Sequence, residues 1–125
     1  LDYVVELDSE TAVRELKPDL SALATLEVRG VVVTARGDDR PDPFDYVLRW
    51  FGPRVGVAED MVTGTAHCAL GPYWAERLEK MAFRTYQASP RGGVVRVRVV
   101  AGDAAGGRVK IGGQAVTILR GELLA

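Results

Sequence analysis

The sequence predicts an α+β domain in which a mostly antiparallel barrel of strands wraps around one central apolar helix. Residues 66–75 contain no Asp, Glu, Lys or Arg, and a helix that is apolar on all sides has to be buried on all sides. Glycine supplies 14 of the 125 residues, above its usual share of roughly 7%, as expected for tight turns between strands. A closed sheet would leave such a helix no side in contact with water.

The segments before this helix alternate between strands and short helices. Asp8-Ser9 supplies the N-cap of a short helix that ends before Pro18. Pro18 opens a second helical turn, because proline is favoured at the first helical position. Charge and proline make residues 37–43 a surface loop. Runs of β-branched and aromatic residues predict strands at residues 3–7, 27–35 and 45–51.

The segments after the helix are predicted to be strands. Valines alternate with Arg96 and Arg98, which is typical of a strand with one wet face, so the two arginines are interpreted as a solvated face rather than an anion site. Pro72, inside the helical run, should kink the helix or mark a restart. We expect strands at 83–88 and 94–100, a turn at 101–107, and a final hairpin of 108–111 and 114–119 around Gly112-Gly113.

The composition excludes several classes of function. The formal net charge of −1 gives no electrostatic reason to expect nucleic acid or an anionic membrane as a partner. The longest uncharged apolar run is about half the length of a membrane span. One cysteine and one histidine are too few for a structural zinc site or an internal disulfide. We therefore expect a cytoplasmic domain without a metal. Because it starts at Leu1 and enters a strand directly, we also expect it to be part of a longer protein.

The turn before the apolar helix carries the candidate chemistry. Asp60 could act as a general acid or base at a buried helix N-terminus. It could equally be an N-cap or a solvated loop carboxylate, which are commoner uses of aspartate at such a position. The backbone N–H groups of Thr63-Gly64-Thr65-Ala66 could bind an anion, because glycine permits close approach and the helix end leaves donors free. The same segment could be a helix cap, and the two uses are compatible.

The polar and aromatic residues that follow are interpreted as structural. His67 is interpreted as a hydrogen-bonded structural histidine. Cys68 is interpreted as a small core residue, because no basic partner lies near it in the sequence. Tyr73 and Trp74 are interpreted as core or helix-end packing. The sequence contains no Ser/His/Asp order, phosphate loop or dinucleotide fingerprint.

Three segments carry a resemblance to a known family. They are Arg49-x-Phe51-x-Pro53-x-x-Gly56-x-x-Glu59-Asp60-x-Val62-Thr63-Gly64-x-Ala66-His67-Cys68-Ala69-Leu70-x-Pro72-Tyr73-Trp74, then Gln87-x-Ser89-x-Arg91-Gly92-Gly93, and finally Ile111-x-Gly113-x-Ala115-Val116-Thr117. Together they closely resemble the PhzF-like phenazine biosynthesis family. The similarity extends from Asp2 to Gly121.

The resemblance implies that this chain is half of a larger molecule. The family has the diaminopimelate epimerase-like fold, in which two similar domains each wrap strands around a central helix and enclose the active site between them. Residues 1–125 resemble the C-terminal domain as a single unit. Family members need no cofactor, and the type enzyme is an isomerase that shifts a proton within a dihydro-hydroxyanthranilate during phenazine biosynthesis. The principal acid/base of the family is a glutamate of the other domain, which matches no residue here.

The resemblance also assigns roles to individual residues. Asp60 falls on the aspartate of the family's Glu-Asp-Pro segment and Thr65 on its active-site serine, which implies catalytic roles for both. Thr63, Gly64 and Ala66 fall in the cradle that binds the substrate carboxylate. The sequence departs from the pattern where Met61 replaces proline, where Thr65 replaces serine, and at Gly71, where relatives often carry alanine.

Three functional hypotheses follow. The chain is an isomerase domain that acts on a small carboxylate and needs an N-terminal domain, or two copies form a homodimer that rebuilds the cleft. Alternatively, it is a non-catalytic small-molecule binding or interaction module, or a catalytically dead remnant, that retains the fold. Without the other domain, the chain should expose apolar surface and self-associate.

Overall fold

A six-stranded sheet organises the fold in the computed structural model, which describes residues 1–103 and 106–123. Strands that follow one another in sequence are also neighbours in the sheet. The strands are β1 (Asp2–Glu6), β2 (Gly30–Arg36), β3 (Tyr46–Phe51), β4 (Ala82–Gln87), β5 (Gly93–Asp103) and β6 (Gly106–Gly112). The β1–β2 and β3–β4 pairs are parallel, and the other three pairs are antiparallel. The predicted strands before residue 101 are thereby confirmed within a few residues.

The helices lie between the strands at the predicted places. They are α1 (Glu10–Glu15), α2 (Leu20–Ala24) and α3 (His67–Leu78), with 3₁₀ turns at Pro53–Val55 and Gly64–Ala66. The Ser9 hydroxyl caps α1 by accepting a 3.0 Å hydrogen bond from the N–H of Ala12, as expected. Asp19 caps α2, so that helix begins after Pro18 rather than with it. Pro72 lies inside α3, which continues through it without a restart.

The two faces of the sheet carry two separate cores. The helix α3 packs on one face, and α1 with the segment after α2 covers part of the other. Because successive side chains of a strand point to opposite faces, strands that are buried on both sides are largely apolar, and β2 and β3 have this pattern apart from Thr34, Arg36 and Arg49. The core under α3 contains Val32, Tyr46, Leu48, Trp50, Ala66, Leu70, Trp74, Phe83, Val95 and Val97.

The helix α3 is buried on one side only, so the expectation that it is enclosed on all sides is wrong. His67, Leu70, Gly71 and Trp74 are buried, whereas Cys68, Ala69 and Pro72 are exposed. Within the described chain the sheet is also open, with β1 and β6 as its two edges. The physical reason is that a run without charge is not uniformly apolar. One face of this helix carries small side chains, which lose little when they face water.

Close packing against the sheet accounts for Gly71. A Cβ added there would lie 3.2 Å from Cγ2 of Val99 and 3.4 Å from the methyl groups of Val109. Such contacts are tighter than ordinary van der Waals spacing, so glycine lets α3 lie close to β5 and β6.

The final predicted hairpin is wrong. The strand β6 pairs antiparallel with β5, in a register that places Val109 opposite Val99 and Ile111 opposite Val97. Residues 113–123 form no helix or strand, and Val116 and Ile118 are 85% and 94% exposed. The predicted 114–119 strand has the right alternation, but β6 is already paired with β5. The predicted turn at 101–107 is wrong for residues 101–103 and 106–107, which belong to β5 and β6, and its residues 104 and 105 lie outside the described residues.

Candidate active site

The segment between β3 and α3 contains the residues singled out from the sequence, and β3 holds its beginning in place. The N–H of Asp60 donates a 3.1 Å hydrogen bond to the carbonyl of Trp50. The guanidinium of Arg49 donates two hydrogen bonds, of 2.7 and 2.9 Å, to the carboxylate of Glu59. This bidentate pair is largely shielded from water, and such pairs fix geometry as well as adding energy. The acidic pair is therefore rigidly attached to the sheet.

Asp60 and Thr63 are brought together by a buried glutamine. The Thr63 hydroxyl donates a 2.7 Å hydrogen bond to Oδ2 of Asp60. The amide of Gln87, at the end of β4, donates to the Asp60 carbonyl at 2.8 Å and to the Thr63 hydroxyl at 3.1 Å. Its oxygen accepts a 2.6 Å hydrogen bond from the N–H of Thr63. Gln87 is fully buried, so this network is shielded from competing water.

A second hydrogen-bonded link holds the backbone at Met61. The Ser89 hydroxyl donates a 2.6 Å hydrogen bond to the Met61 carbonyl and accepts one of 3.1 Å from the N–H of Gly92. The side chain of Met61 is 45% exposed. Gly92 adopts φ +71°, and a Cβ there would lie 2.0 Å from the hydroxyl of Tyr86, so the Ser89–Gly92 turn needs glycine. Ser89 thus ties the backbone at Met61 to the turn that follows β4.

Thr65 lies in a different environment from Asp60. Its hydroxyl accepts a 3.3 Å hydrogen bond from Nη2 of Arg29. The same guanidinium pairs with Asp2, to which the indole N–H of Trp50 also donates at 3.0 Å. The Arg29 guanidinium, assisted by the Trp50 N–H, holds the pKa of Asp2 below its usual value against the opposing effect of burial. A cavity of about 400 Å³ is lined by Asp2, Arg29, Thr65 and Cys68, among others.

The backbone donors of the turn are partly used within it. The N–H of Ala66 donates to the carbonyl of Thr63 at 3.2 Å, and that of His67 to the carbonyls of Gly64 and Thr65. In the described chain, the backbone amides of Gly64 and Thr65 have no acceptor. A Cβ added at Gly64 would have nothing within 4 Å. The open space beside Gly64 belongs to a cavity of about 550 Å³, which Arg91 also lines.

His67 is structural, as the sequence predicts. It is fully buried at the start of α3, and its Nδ1 lies 2.9 Å from the hydroxyl of Tyr46. Its Nε2 has no hydrogen-bond partner among the described residues. Burial lowers the pKa of His67 to about 4, so the ring is neutral at pH 7. Trp74 stacks on Tyr46 in the same core, with 5.7 Å between ring centroids.

The interpretation of Cys68 as a core residue is wrong. The side chain is exposed and lines the cavity beside Thr65. Helical geometry explains the error, because Cys68 falls on the open face of α3 next to Ala69 rather than on the face of Leu70.

The sequence identified some functional candidates and missed others. Gln87 and Ser89 appear in the family motif, but nothing in the sequence shows that they hold the Asp60 turn. Arg29 carries no local signal, since it is 36 residues from Thr65. Among residues 1–103 and 106–123, no helix is long and apolar enough to cross a membrane. No group of three or more His, Cys, Asp or Glu side chains in those ranges could hold a metal ion.

The architecture is that of PhzC/PhzF-type phenazine biosynthesis proteins. A crystal structure described as a PhzC/PhzF protein from Clostridium difficile matches with a TM-score of 0.83 and 36% identity, covering 99% of this chain and 45% of that one. The model of the PhzC-PhzF family, phenazine biosynthesis-like proteins, matches residues 2–121. The chain belongs to this family.

Two curated relatives are named as isomerases of uncharacterised function. One, from Halalkalibacterium halodurans, is 47% identical over 123 residues, which are 98% of this chain and 44% of the relative. Another, from Pseudomonas aeruginosa, is 48% identical over 120 residues, which are 96% of this chain and 42% of the relative. The chain therefore spans less than half the length of the relatives it matches.

Proposed function

We propose that the chain is the C-terminal domain of a cofactor-independent PhzF-like isomerase, which moves a proton within a small carboxylate substrate. The observation that carries this proposal is the Asp60 carboxylate, held by Thr63 at 2.7 Å beside a turn whose Gly64 and Thr65 amides have no acceptor within the described residues. The isomerase names of the relatives supply the reaction class. The diaminopimelate epimerase-like arrangement of two domains around a cleft is part of the proposal.

The geometry suggests how the work is divided along the turn. A substrate carboxylate would accept hydrogen bonds from the amides of Gly64 and Thr65, at the positive end of the α3 dipole. Ala66 contributes to the shape of this cradle rather than a donor, because its N–H is bonded to the Thr63 carbonyl. Asp60 would exchange the proton with the substrate carbon. The Thr65 hydroxyl, which accepts from Arg29, keeps its own proton to donate to the substrate.

A proton shift needs an acid and a base at positioned points of the substrate. Within the proposal Asp60 supplies one of the two, and an N-terminal domain carrying the family's glutamate supplies the other. Apolar surface supports the need for a covering partner, since Val116, Ile118 and Leu119 are each at least 85% exposed, and exposed apolar groups of this kind mark interaction surfaces.

The test is complementation. The wild-type chain is assayed for isomerisation of the dihydro-hydroxyanthranilate, alone and mixed with the part of the Halalkalibacterium halodurans relative that the match does not cover, here called the complementing half. We expect turnover only in the mixture, and its loss in Asp60→Asn. Asp39→Asn, a substitution on the exposed 37–43 loop, is the matched control and should retain full activity. Turnover by the monomeric chain alone would refute the need for a second half, and an active Asp60→Asn mixture would refute the role of Asp60.

The homodimer is the alternative assembly. An isologous dimer would bring two copies of the α3 N-terminus together. Sedimentation at the assay concentration separates the two assemblies. A dimer that turns over the substrate without the complementing half supports the homodimer, and a monomer excludes it.

A non-catalytic binding module is the alternative function, favoured by Met61 at the position of the family's proline and by the family's glutamate, which matches no residue of this sequence. Titration with anthranilate distinguishes a functional binding site from a catalytically dead remnant that retains only the fold. Binding that is weakened by Thr65→Val and by Asp60→Ala, in a chain that shows no turnover with the complementing half, would establish the binding module.

A further inference from the structure

The amide of Gln87 has only one orientation that satisfies its neighbours. A backbone N–H can only donate and a backbone carbonyl can only accept. The oxygen of Gln87 must therefore face the N–H of Thr63, at 2.6 Å, and its NH₂ group must face the carbonyl of Asp60, at 2.8 Å. The second proton of that NH₂ group then lies toward the Thr63 hydroxyl, at 3.1 Å. Fixed backbone groups thus determine the direction of every hydrogen bond that Gln87 makes.

This orientation also fixes the Thr63 hydroxyl. The oxygen of Thr63 accepts a hydrogen bond from Gln87. Its own hydroxyl hydrogen therefore points to Oδ2 of Asp60, 2.7 Å away. The result is a directional chain from Gln87 through Thr63 to Asp60. Both Gln87 and Thr63 are buried, at 0% and 6% exposure, so water cannot readily take the place of either partner.

The position of Gln87 in the sheet makes the hydrogen-bonded chain from Gln87 to Asp60 rigid. Gln87 is the last residue of β4, where it pairs with Leu48 of β3 on one side and Gly93 of β5 on the other. A side chain anchored between two neighbouring strands is held more accurately than one on a loop. The Asp60 turn, in contrast, has no regular secondary structure of its own.

We propose that Gln87 is a positioning residue for proton transfer by Asp60: through Thr63 it reserves Oδ2 as a hydrogen-bond acceptor and leaves Oδ1 as the oxygen that exchanges the proton. In the described chain no side chain or backbone group donates to Oδ1. An acid that must deliver its proton from one defined oxygen is sensitive to rotation of its carboxyl group. The inference rests on the proposed function of Asp60, and Gln87 itself does not touch the substrate.

The experiment compares variants of Gln87 and Thr63 in the mixture of chain and complementing half, with kcat and KM measured across pH. Gln87→Met keeps the length of the side chain and removes all of its hydrogen bonds. Misplacement of a reacting group costs up to roughly 100-fold, so we expect kcat to fall roughly 10- to 100-fold with KM changed by less than about two-fold. Thr63→Val should reproduce this loss, and Thr63→Ser should recover most of it because it restores the hydroxyl.

The pH dependence of the activity of Gln87→Glu tests the positioning role, because a purely structural role would not change it. An ionised carboxylate can accept from the N–H of Thr63 but cannot donate to the Thr63 hydroxyl. Protonation of the introduced carboxyl restores one donor, so the activity of this variant relative to wild type should rise as the pH falls. Thermal unfolding of each variant shows whether the fold is retained.

The outcomes separate the two proposals. If Gln87→Met folds and keeps the wild-type kcat while Asp60→Asn is inactive, the positioning role is overturned and the proposed function stands. If Gln87→Met does not fold, the Thr63 variants decide, and a Thr63→Val variant with the wild-type kcat overturns the inference. A wild-type mixture without turnover, or a fully active Asp60→Asn mixture, overturns the proposed function and this inference with it.

Discussion

The hydroxyl of Thr63 donates a 2.7 Å hydrogen bond to Oδ2 of Asp60, and this contact joins the start of the turn to its centre. Thr63 is a candidate substrate-binding residue from the sequence, yet its side chain is buried and already bonded on both sides. Its hydroxyl supports the carboxylate rather than being free for a ligand.

Substitution of Thr63 should therefore affect stability as well as activity. Thr63→Val removes the donor to Asp60 and the acceptor for Gln87. Leaving a buried polar group unsatisfied costs about 1–3 kcal/mol, so we expect the free energy of unfolding in urea to fall by about that amount. Thr63→Ser, which keeps the hydroxyl, is the control and should lose clearly less. A Thr63→Val variant as stable as wild type would show that these hydrogen bonds do not contribute to stability.

His67 should make the fold sensitive to acid. Burial lowers the pKa of His67 in the folded chain from 6.5 to about 4, so between these values the unfolded state binds the proton and the folded state does not. The contribution of neutral His67 to the free energy of unfolding is therefore complete above pH 6.5 and is lost as the pH falls toward 4. Linkage gives a loss of about 2 kcal/mol between pH 7 and pH 5.

The check is urea unfolding at several pH values for wild type and His67→Gln. The substitution removes the titrating group, so the variant should show a flatter pH dependence in this interval even if it is less stable throughout. The same slope in both proteins would contradict the assignment to His67.

Glu10 should anchor the loop at residues 37–43. Its buried carboxylate accepts from Arg14 and Arg40 and takes a 3.0 Å hydrogen bond from the N–H of Asp38. Despite burial, which acts in the other direction, the Arg40 guanidinium and the Asp38 N–H hold the pKa of Glu10 below its usual 4.5. The stability that ionised Glu10 adds to the fold is present above pH 4.5 and is lost as the pH falls further.

Glu10→Gln keeps the shape but removes the charge. Both arginines are more than a third exposed, so screening by solvent keeps the Coulombic loss small. The clearer result should be faster amide hydrogen exchange at Asp38, with exchange in β5 unchanged. Unaltered exchange at Asp38 would show that Glu10 does not hold the loop.

Arg29 should influence the binding of a carboxylate at the α3 N-terminus. Arg29→Met frees the Thr65 hydroxyl and leaves Asp2, which is only 12% exposed, without its cation. The uncompensated negative charge beside the proposed cradle should weaken anthranilate binding roughly tenfold, equivalent to about 1.4 kcal/mol. Isothermal titration calorimetry measures this, with Arg36→Met on the exposed end of β2 as the control. Equal affinities in the two variants would place the carboxylate elsewhere.

The elements that could be predicted from the sequence are those with a local signal. Alternation of Val95 and Val97 with arginines predicts β5 and its buried face, and Ser9 predicts the start of α1. In each case a short segment contains the complete information, either a two-residue period or a side chain that caps its own helix.

The features that could not be predicted depend on distant partners. The 114–119 segment has the pattern of a strand, but pairing requires an unoccupied neighbour, and β6 pairs with β5 instead. The open face of α3 could not be recognised from the absence of charge alone. The Gln87–Thr63–Asp60 chain joins residues 24 and 3 positions apart, and only the fold brings Gln87 to the turn.

The central claim is that Asp60 transfers a proton to or from the substrate carbon. The most direct measurement is isomerisation of the dihydro-hydroxyanthranilate in D₂O by the mixture of chain and complementing half, with the product analysed by mass spectrometry. Transfer through a carboxyl group that exchanges with solvent predicts deuterium on the substrate carbon with wild type and with Asp39→Asn. It predicts that product formation and deuterium incorporation both fall by at least about 100-fold with Asp60→Asn. Incorporation at the wild-type rate in Asp60→Asn would contradict the account.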